Sequence, residues 1–179
     1  MKKYSFIAYI GLASLLFSSC IKEDVKTFQG NPVIEFDAAV FNSVTAGFTY
    51  PILTRAAGYG RGVSTTLDPL ITRTTSTTVK LRVNLVGPQR STDEVFTYRI
   101  ISDAVPVAPN ALAVVATHFS ASNTFTIPAN TSFGEVTITV LNTGISSTTP
   151  REVHLELEGN GKVGASANYK KVAIRIAQN

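Results

Sequence analysis

The sequence predicts an all-β chain: a single antiparallel β-sandwich of about seven to nine strands. Three observations carry this. Apolar residues recur with a period of two along most of the chain, and no stretch of convincing length shows the 3.6-residue period of an amphipathic helix. Gly, Pro, Asn and Ser clusters punctuate the alternating runs. Of the 179 residues, 44% are hydrophobic and 16% charged, with a single Cys. That balance excludes a disordered chain, a coiled coil and a disulfide scaffold.

Val33-Ile34-Glu35-Phe36 opens the series, and residues 45–53 are expected to form a second strand. In residues 78–86, Val79, Leu81, Val83 and Leu85 share one face and Lys80, Arg82 and Asn84 the other, until Gly87-Pro88 ends the run. Residues 95–102 and 123–128 follow, the latter stopped by Pro128. Residues 133–142 turn Val136, Ile138 and Val140 inward. Residues 151–158 turn Val153, Leu155 and Leu157 inward and Glu152, His154, Glu156 and Glu158 outward. Residues 171–177 close the domain on Val172, Ile174 and Ile176. One apolar face per strand requires two sheets packed face to face. A domain of about 150 residues buries roughly 70% of its unfolded surface, so neither disulfide nor metal is needed for stability.

The first nineteen residues read as a leader that is removed. Lys2 and Lys3 precede an uncharged apolar run over residues 6–17. Twelve residues are too few to span a bilayer, which takes about 20, and suit a signal h-region. Leu16-Phe17-Ser18-Ser19-Cys20 resembles a bacterial lipobox, with Phe17 standing where Leu is commoner. Cys20 then becomes the mature N-terminus, carrying a thioether-linked diacylglycerol and an N-acyl chain such as palmitate. Two or three acyl chains hold a protein on a bilayer where one does so only marginally. Residues 20–31 form the lipidated tether, and residues 32–179 form the domain. About eleven tether residues reach some 36 Å at most. Lys22-Glu23-Asp24 resembles the export signal of Bacteroidota surface lipoproteins, which implies display on the outer face of the outer membrane. Loss of Lys2 and Lys3 from a formal charge of +4 leaves the mature chain near +2. Nucleic acid is therefore not expected as a partner.

Thr124-Phe125-Thr126-Ile127-Pro128-Ala129-Asn130 followed by Gly134-Glu135-Val136-Thr137-Ile138-Thr139-Val140-Leu141-Asn142 resembles the Calx-beta domain. Ala116-Thr117-His118-Phe119 and the later strands over 151–158 and 172–176, with Gly164 between them, extend the likeness to about residues 78–177. The same pattern is similar to uncharacterised domains of Bacteroidota surface lipoproteins, which often accompany polysaccharide-utilisation machinery. The resemblance implies a single immunoglobulin-like antiparallel β-sandwich. Some Calx-beta domains bind calcium through loop acids. Here His118 and Thr143 stand at positions where acids are expected, so an oxygen-rich cage of six to eight ligands for calcium is not expected from the carried-over site.

A search for reactive chemistry returns little. His118 and His154 lack neighbours at metal-ligand spacing, and no Gly-x-Ser-x-Gly elbow occurs. Glu156 and Glu158 share a strand face about 6.8 Å apart, given ~3.4 Å per residue. That separation suits glycosidase carboxylates, but an open wet sheet face would not raise either pKa, and pairing with Lys80, Arg82, Lys171 or Arg175 is expected instead. No catalytic residue, cofactor or metal is expected. Residues 54–77, with Gly58-Tyr59-Gly60-Arg61-Gly62, form a long loop or a loop plus a ragged hairpin, and long loops are often functional. Arg55, Tyr59 and Arg61 form the candidate ligand-binding loop, and Tyr169 beside Asn168 and Lys170 is the second exposed aromatic. The expected function is a non-enzymatic outer-membrane surface lipoprotein acting as an interaction or adhesion module. The alternative is a glycan-binding accessory lipoprotein of a polysaccharide-utilisation system.

Overall fold

The computed structural model describes residues 27–37, 47–56, 58, 61–75 and 77–179. Among them the regular structure is all strand: β1 (Val33–Phe36), β2 (Ile52–Leu53), β3 (Thr78–Val86), β4 (Glu94–Ile100), β5 (Ala111–Leu112), β6 (Phe119–Ala121), β7 (Thr124–Ile127), β8 (Phe133–Val140), β9 (Arg151–Gly159), β10 (Gly164–Ala165) and β11 (Lys171–Ile176). One sheet has the order β10-β1-β3-β8-β6. The other has the order β2-β11-β9-β4-β7, with β5 lying against the start of β9.

The inward residues are those the alternation selected. In the first sheet, Leu81 faces Val136 and Val79 faces Ile138 across the β3–β8 ladder, and all four side chains are buried. In the second, Val153, Leu155 and Leu157 of β9 are buried between Val172 and Ile174 of β11 and Phe96 and Tyr98 of β4. The Phe96 and Phe125 rings stack at 5.5 Å between centroids. Each such aliphatic or aromatic side chain contributes about 1.5–3 kcal/mol through removal from water.

Gly134 sets the approach of β8 to β7. A Cβ on Gly134 would lie 2.3 Å from the Thr126 carbonyl oxygen, so only glycine lets the strand pass there. Gly159 takes φ +93° at the end of β9, where the left-handed region favours a residue without Cβ. The β4–β9 register shifts between Thr97 and Tyr98, so that Thr97 faces Gly159 while Tyr98 faces Leu157. Glu158 is the extra residue of this bulge, and it is exposed.

Several expectations need correction. The pairings β1–β10, β2–β11 and β5–β9 are parallel. A tight hairpin forces neighbours antiparallel, whereas a segment that crosses over from elsewhere can run either way. The strand expected over 45–53 is confined, among its described residues, to Ile52–Leu53. The strand expected over 95–102 ends at Ile100, and that over 133–142 ends at Val140. β5, β6 and β10 are two or three residues long and had no periodic signal.

The stretch 54–77 is a ragged hairpin over its described part. Arg55 bridges Leu70, and Thr72 bridges Ala177 at the end of β11. Arg73 is buried there. Its guanidinium donates to the Gln178 carbonyl, the Asn142 side chain and Ser146 Oγ at 2.5–2.7 Å, which ties this hairpin to the loop after β8 and to the C-terminal segment.

Candidate functional site

The alternation on β9 puts Glu152, His154 and Glu156 on the face opposite the core. In a plain sandwich that face is wet. Here their relative exposures are 1%, 1% and 7%. The expectation of open, solvated carboxylates is therefore wrong for Glu156 and holds for Glu158 alone. The cover comes from two segments. One runs through Phe48 and Tyr50 into β2, and the other runs through Val107 and Asn110 into β5.

His154 is the hub. Its ring stacks on Phe48 at 5.7 Å and meets the edge of Tyr50 at 5.8 Å. Nε2 lies 3.1 Å from Glu152 Oε2, and Nδ1 lies 2.9 Å from the Tyr50 hydroxyl. Glu152 also accepts from Asn110 Nδ2 at 2.7 Å, the Val107 amide at 3.2 Å, and Arg175 Nε and a terminal nitrogen at 3.0 and 2.9 Å. A carboxylate surrounded by donors is an acceptor, so His154 Nε2 carries the proton it shares with Glu152. In the neutral ring Nδ1 is then the acceptor for the Tyr50 O–H. Burial pushes the His154 pKa below its ordinary value, and the neighbouring Glu152 opposes that shift without reversing it.

Glu–His–Tyr in this order has the outline of a carboxylate, base and nucleophile. Burial raises the Tyr50 pKa, and the charges of Glu152 and Glu156 raise it further, so the phenol keeps its proton and serves as the donor to His154. The His154 side chain is fully buried. What the chain of bonds does is hold the Tyr50 ring in place at the lip of a cleft.

That cleft has a volume of about 410 Å³ and is lined by Thr49, Tyr50, Ala167, Asn168, Lys170 and Lys171. The segment 168–170 is pinned from both sheets: the Tyr169 carbonyl accepts from the Phe36 amide at 2.9 Å and the Lys170 carbonyl from the Leu157 amide at 2.8 Å. Buried beside the two lysines, Glu156 accepts from Arg99 and lies 2.8 Å from Lys170 Nζ and 3.9 Å from Lys171 Nζ. Burial would raise its pKa, but Lys170, Lys171 and Arg99 outweigh burial and lower it. Of the partners expected for Glu156, Lys171 is its cross-strand neighbour. Arg175 serves Glu152 instead, and Lys80 pairs with Glu135 on the other sheet. A second, more apolar cleft of about 440 Å³ lies past His154 and Glu152, bounded by Ile101, Leu112, Val114 and Val115.

The residues singled out from sequence are distributed as follows. Arg55 and Arg61 converge, on Asp68. Arg55 donates to its carbonyl at 2.6 Å, and Arg61 clasps its carboxylate at 2.8 and 2.5 Å. The Arg61 guanidinium and the Ser64 amide bring the Asp68 pKa down to about 2. Tyr59, Cys20, Lys22, Glu23 and Asp24 lie outside the described residues. Tyr169 is exposed, and its neighbours Asn168 and Lys170 line the cleft. His118 accepts the Val114 amide at 3.0 Å through Nδ1. Among the described residues no three His, Cys, Asp or Glu side chains are grouped to hold a metal ion. Sequence reasoning missed Tyr50 and Phe48. The one available signal was two aromatics, Phe48 and Tyr50, at a spacing of two just before Pro51.

No protein-family model matches the chain, and no curated protein matches its sequence. Among solved structures it is similar to the apo form of the Calx CBD1 domain. That match has a TM-score of 0.50 at 10% identity and covers 84% of this chain and 99% of that domain. A two-domain protein of unknown function from Bacteroides fragilis matches with a TM-score of 0.51 at 7% identity, over 82% of this chain and 45% of that one. At such identities the likeness is one of fold: a Calx-beta-like β-sandwich.

Proposed function

We propose that the chain is a non-enzymatic, lipid-anchored binding module displayed on the outer membrane, and that it binds glycans through the cleft beside Tyr50. The observation that carries this reading is the Tyr50–His154–Glu152 chain. A buried, fully bonded polar network on the outer face of a sheet is costly to build, and its product is an aromatic ring fixed beside a polar cleft. An aromatic face with amide and ammonium groups around it matches the chemistry of a sugar, which has an apolar C–H face and a rim of hydroxyls. A general interaction or adhesion surface, the broader of the two expected uses, requires no such pocket. The anchoring half of the reading rests on Cys20 with the apolar run before it, and the outward orientation rests on Lys22-Glu23-Asp24.

Affinity electrophoresis over a broad panel of polysaccharides tests the binding half. Retardation by at least one polymer that disappears in Tyr50→Ala supports it, and flat mobility over all of them rejects it. For the anchor, Cys20→Ala abolishes fatty-acid labelling and releases the protein from the membrane fraction, and an unchanged membrane fraction refutes it. Protease treatment of intact cells reports on orientation: survival of the chain while known surface proteins are digested excludes outward display.

A further inference from the structure

We infer that the cleft beside Tyr50 selects acidic saccharides, with the carboxylate or sulfate of the sugar held by Lys170 and Lys171; this deepens the glycan-binding reading and rests on it. The charge on this face is the first argument. On the outer face of β9, in ion pairs with one another, four cations, Arg99, Lys170, Lys171 and Arg175, meet three carboxylates, Glu152, Glu156 and Glu158. One positive charge is left in excess.

Placement is the second argument. Both lysine side chains are more than a third exposed, while the carboxylate they approach is 9% exposed. The cations therefore face the cleft, and the anion lies beneath them. Lys171 Nζ stands 3.9 Å from Glu156 and 6.0 Å from the Tyr50 ring centroid, between the buried acid and the aromatic wall. An ammonium carries three donors, and Glu156 occupies one on Lys170. If both lysines turn to a ligand anion, Arg99 stays on Glu156, so no buried carboxylate is stripped of its partner. Glu152, the other acid nearby, is ion-paired with Arg175 and hydrogen-bonded by Asn110 and the Val107 amide, so its charge is largely offset. Asn168 adds an amide with both donor and acceptor capacity for a hydroxyl. The volume of about 410 Å³ falls within the range of small-ligand sites, roughly 300–1,000 Å³.

The test uses full-length protein in detergent. Binding is measured to polygalacturonate and chondroitin sulfate, to neutral pullulan and mannan, and to polyphosphate. The expected result is at least about tenfold tighter binding of one acidic polysaccharide than of the neutral ones, weakening as salt rises. Lys170→Gln and Lys171→Gln each lower that affinity about tenfold, Asn168→Ala lowers it further, and circular dichroism shows all three variants folded at the temperature of the assay. Neutral polymers binding as well as acidic ones, with both lysine variants unaffected, overturns the inference and leaves glycan binding standing. Polyphosphate binding as tightly as the acidic sugars, with Asn168→Ala silent, overturns it as a mere cationic patch. Absence of binding to every polysaccharide overturns both readings.

Discussion

The Tyr50 hydroxyl donates to His154 Nδ1 across 2.9 Å, joining residues 104 positions apart in the chain. This bond ties the segment before β2 to the outer face of β9 at the lip of the cleft.

Removing the donor leaves a buried acceptor without a partner. Tyr50→Phe is expected to cost about 1–2 kcal/mol, measured by chemical denaturation. Tyr169→Phe, at an exposed ring, should cost close to nothing by the same measurement. Glu152→Ala removes the acceptor of five hydrogen bonds and leaves Arg175 unpaired at a partly buried position, at about 3 kcal/mol.

The burial of His154 makes stability depend on pH. Its folded-state pKa is lowered from 6.5, so below that value the unfolded chain takes up a proton that the folded chain refuses. The contribution of His154 is fully present above pH ~6.5 and is lost as pH falls through the folded pKa. Denaturation midpoints should fall from pH 7 towards pH 5, and His154→Gln should flatten that slope. His118, also lowered by burial and by Arg151, adds in the same direction, so the double variant should flatten it further.

Asp68 acts at a lower pH. With a folded-state pKa of about 2 against an ordinary 3.8, its grip on Arg61 and the Ser64 amide is complete above pH ~4. That grip is lost as pH falls towards 2. Pepsin should cut within residues 61–68 increasingly as pH is lowered over that window. In Asp68→Asn the same segment should already exchange its amides faster at pH 7.

Gly134→Ala forces a methyl group against the Thr126 carbonyl, and neither backbone can yield without parting β7 from β8. A loss of about 3 kcal/mol is expected. Gly144→Ala meets no neighbour within 4 Å and carries only the cost of φ +73°, about 1 kcal/mol. Equal losses in the two variants would show that close approach is not what position 134 requires.

The sequence determined the sandwich. Alternation is a local property, so β3, β8, β9 and β11 and their inward residues, Leu81, Val136, Leu155 and Ile174 among them, follow from neighbours two positions apart. It also carries the apolar run and the lone Cys20 on which the anchoring proposal rests. It could not supply the site. Alternation says that Glu152, His154 and Glu156 face away from the core; it is silent on whether anything lies over them. Tertiary structure decided that, by laying residues 48–50 and 107–112 across β9. Residues 48–50 read only as part of a strand, residues 107–112 show no period, and the partners of both on β9 are more than 40 residues away. A hydrogen bond over such a separation leaves no mark in the residues around either end. The same histidine and glutamates therefore read as solvated surface in one dimension and form a buried, bonded network in three.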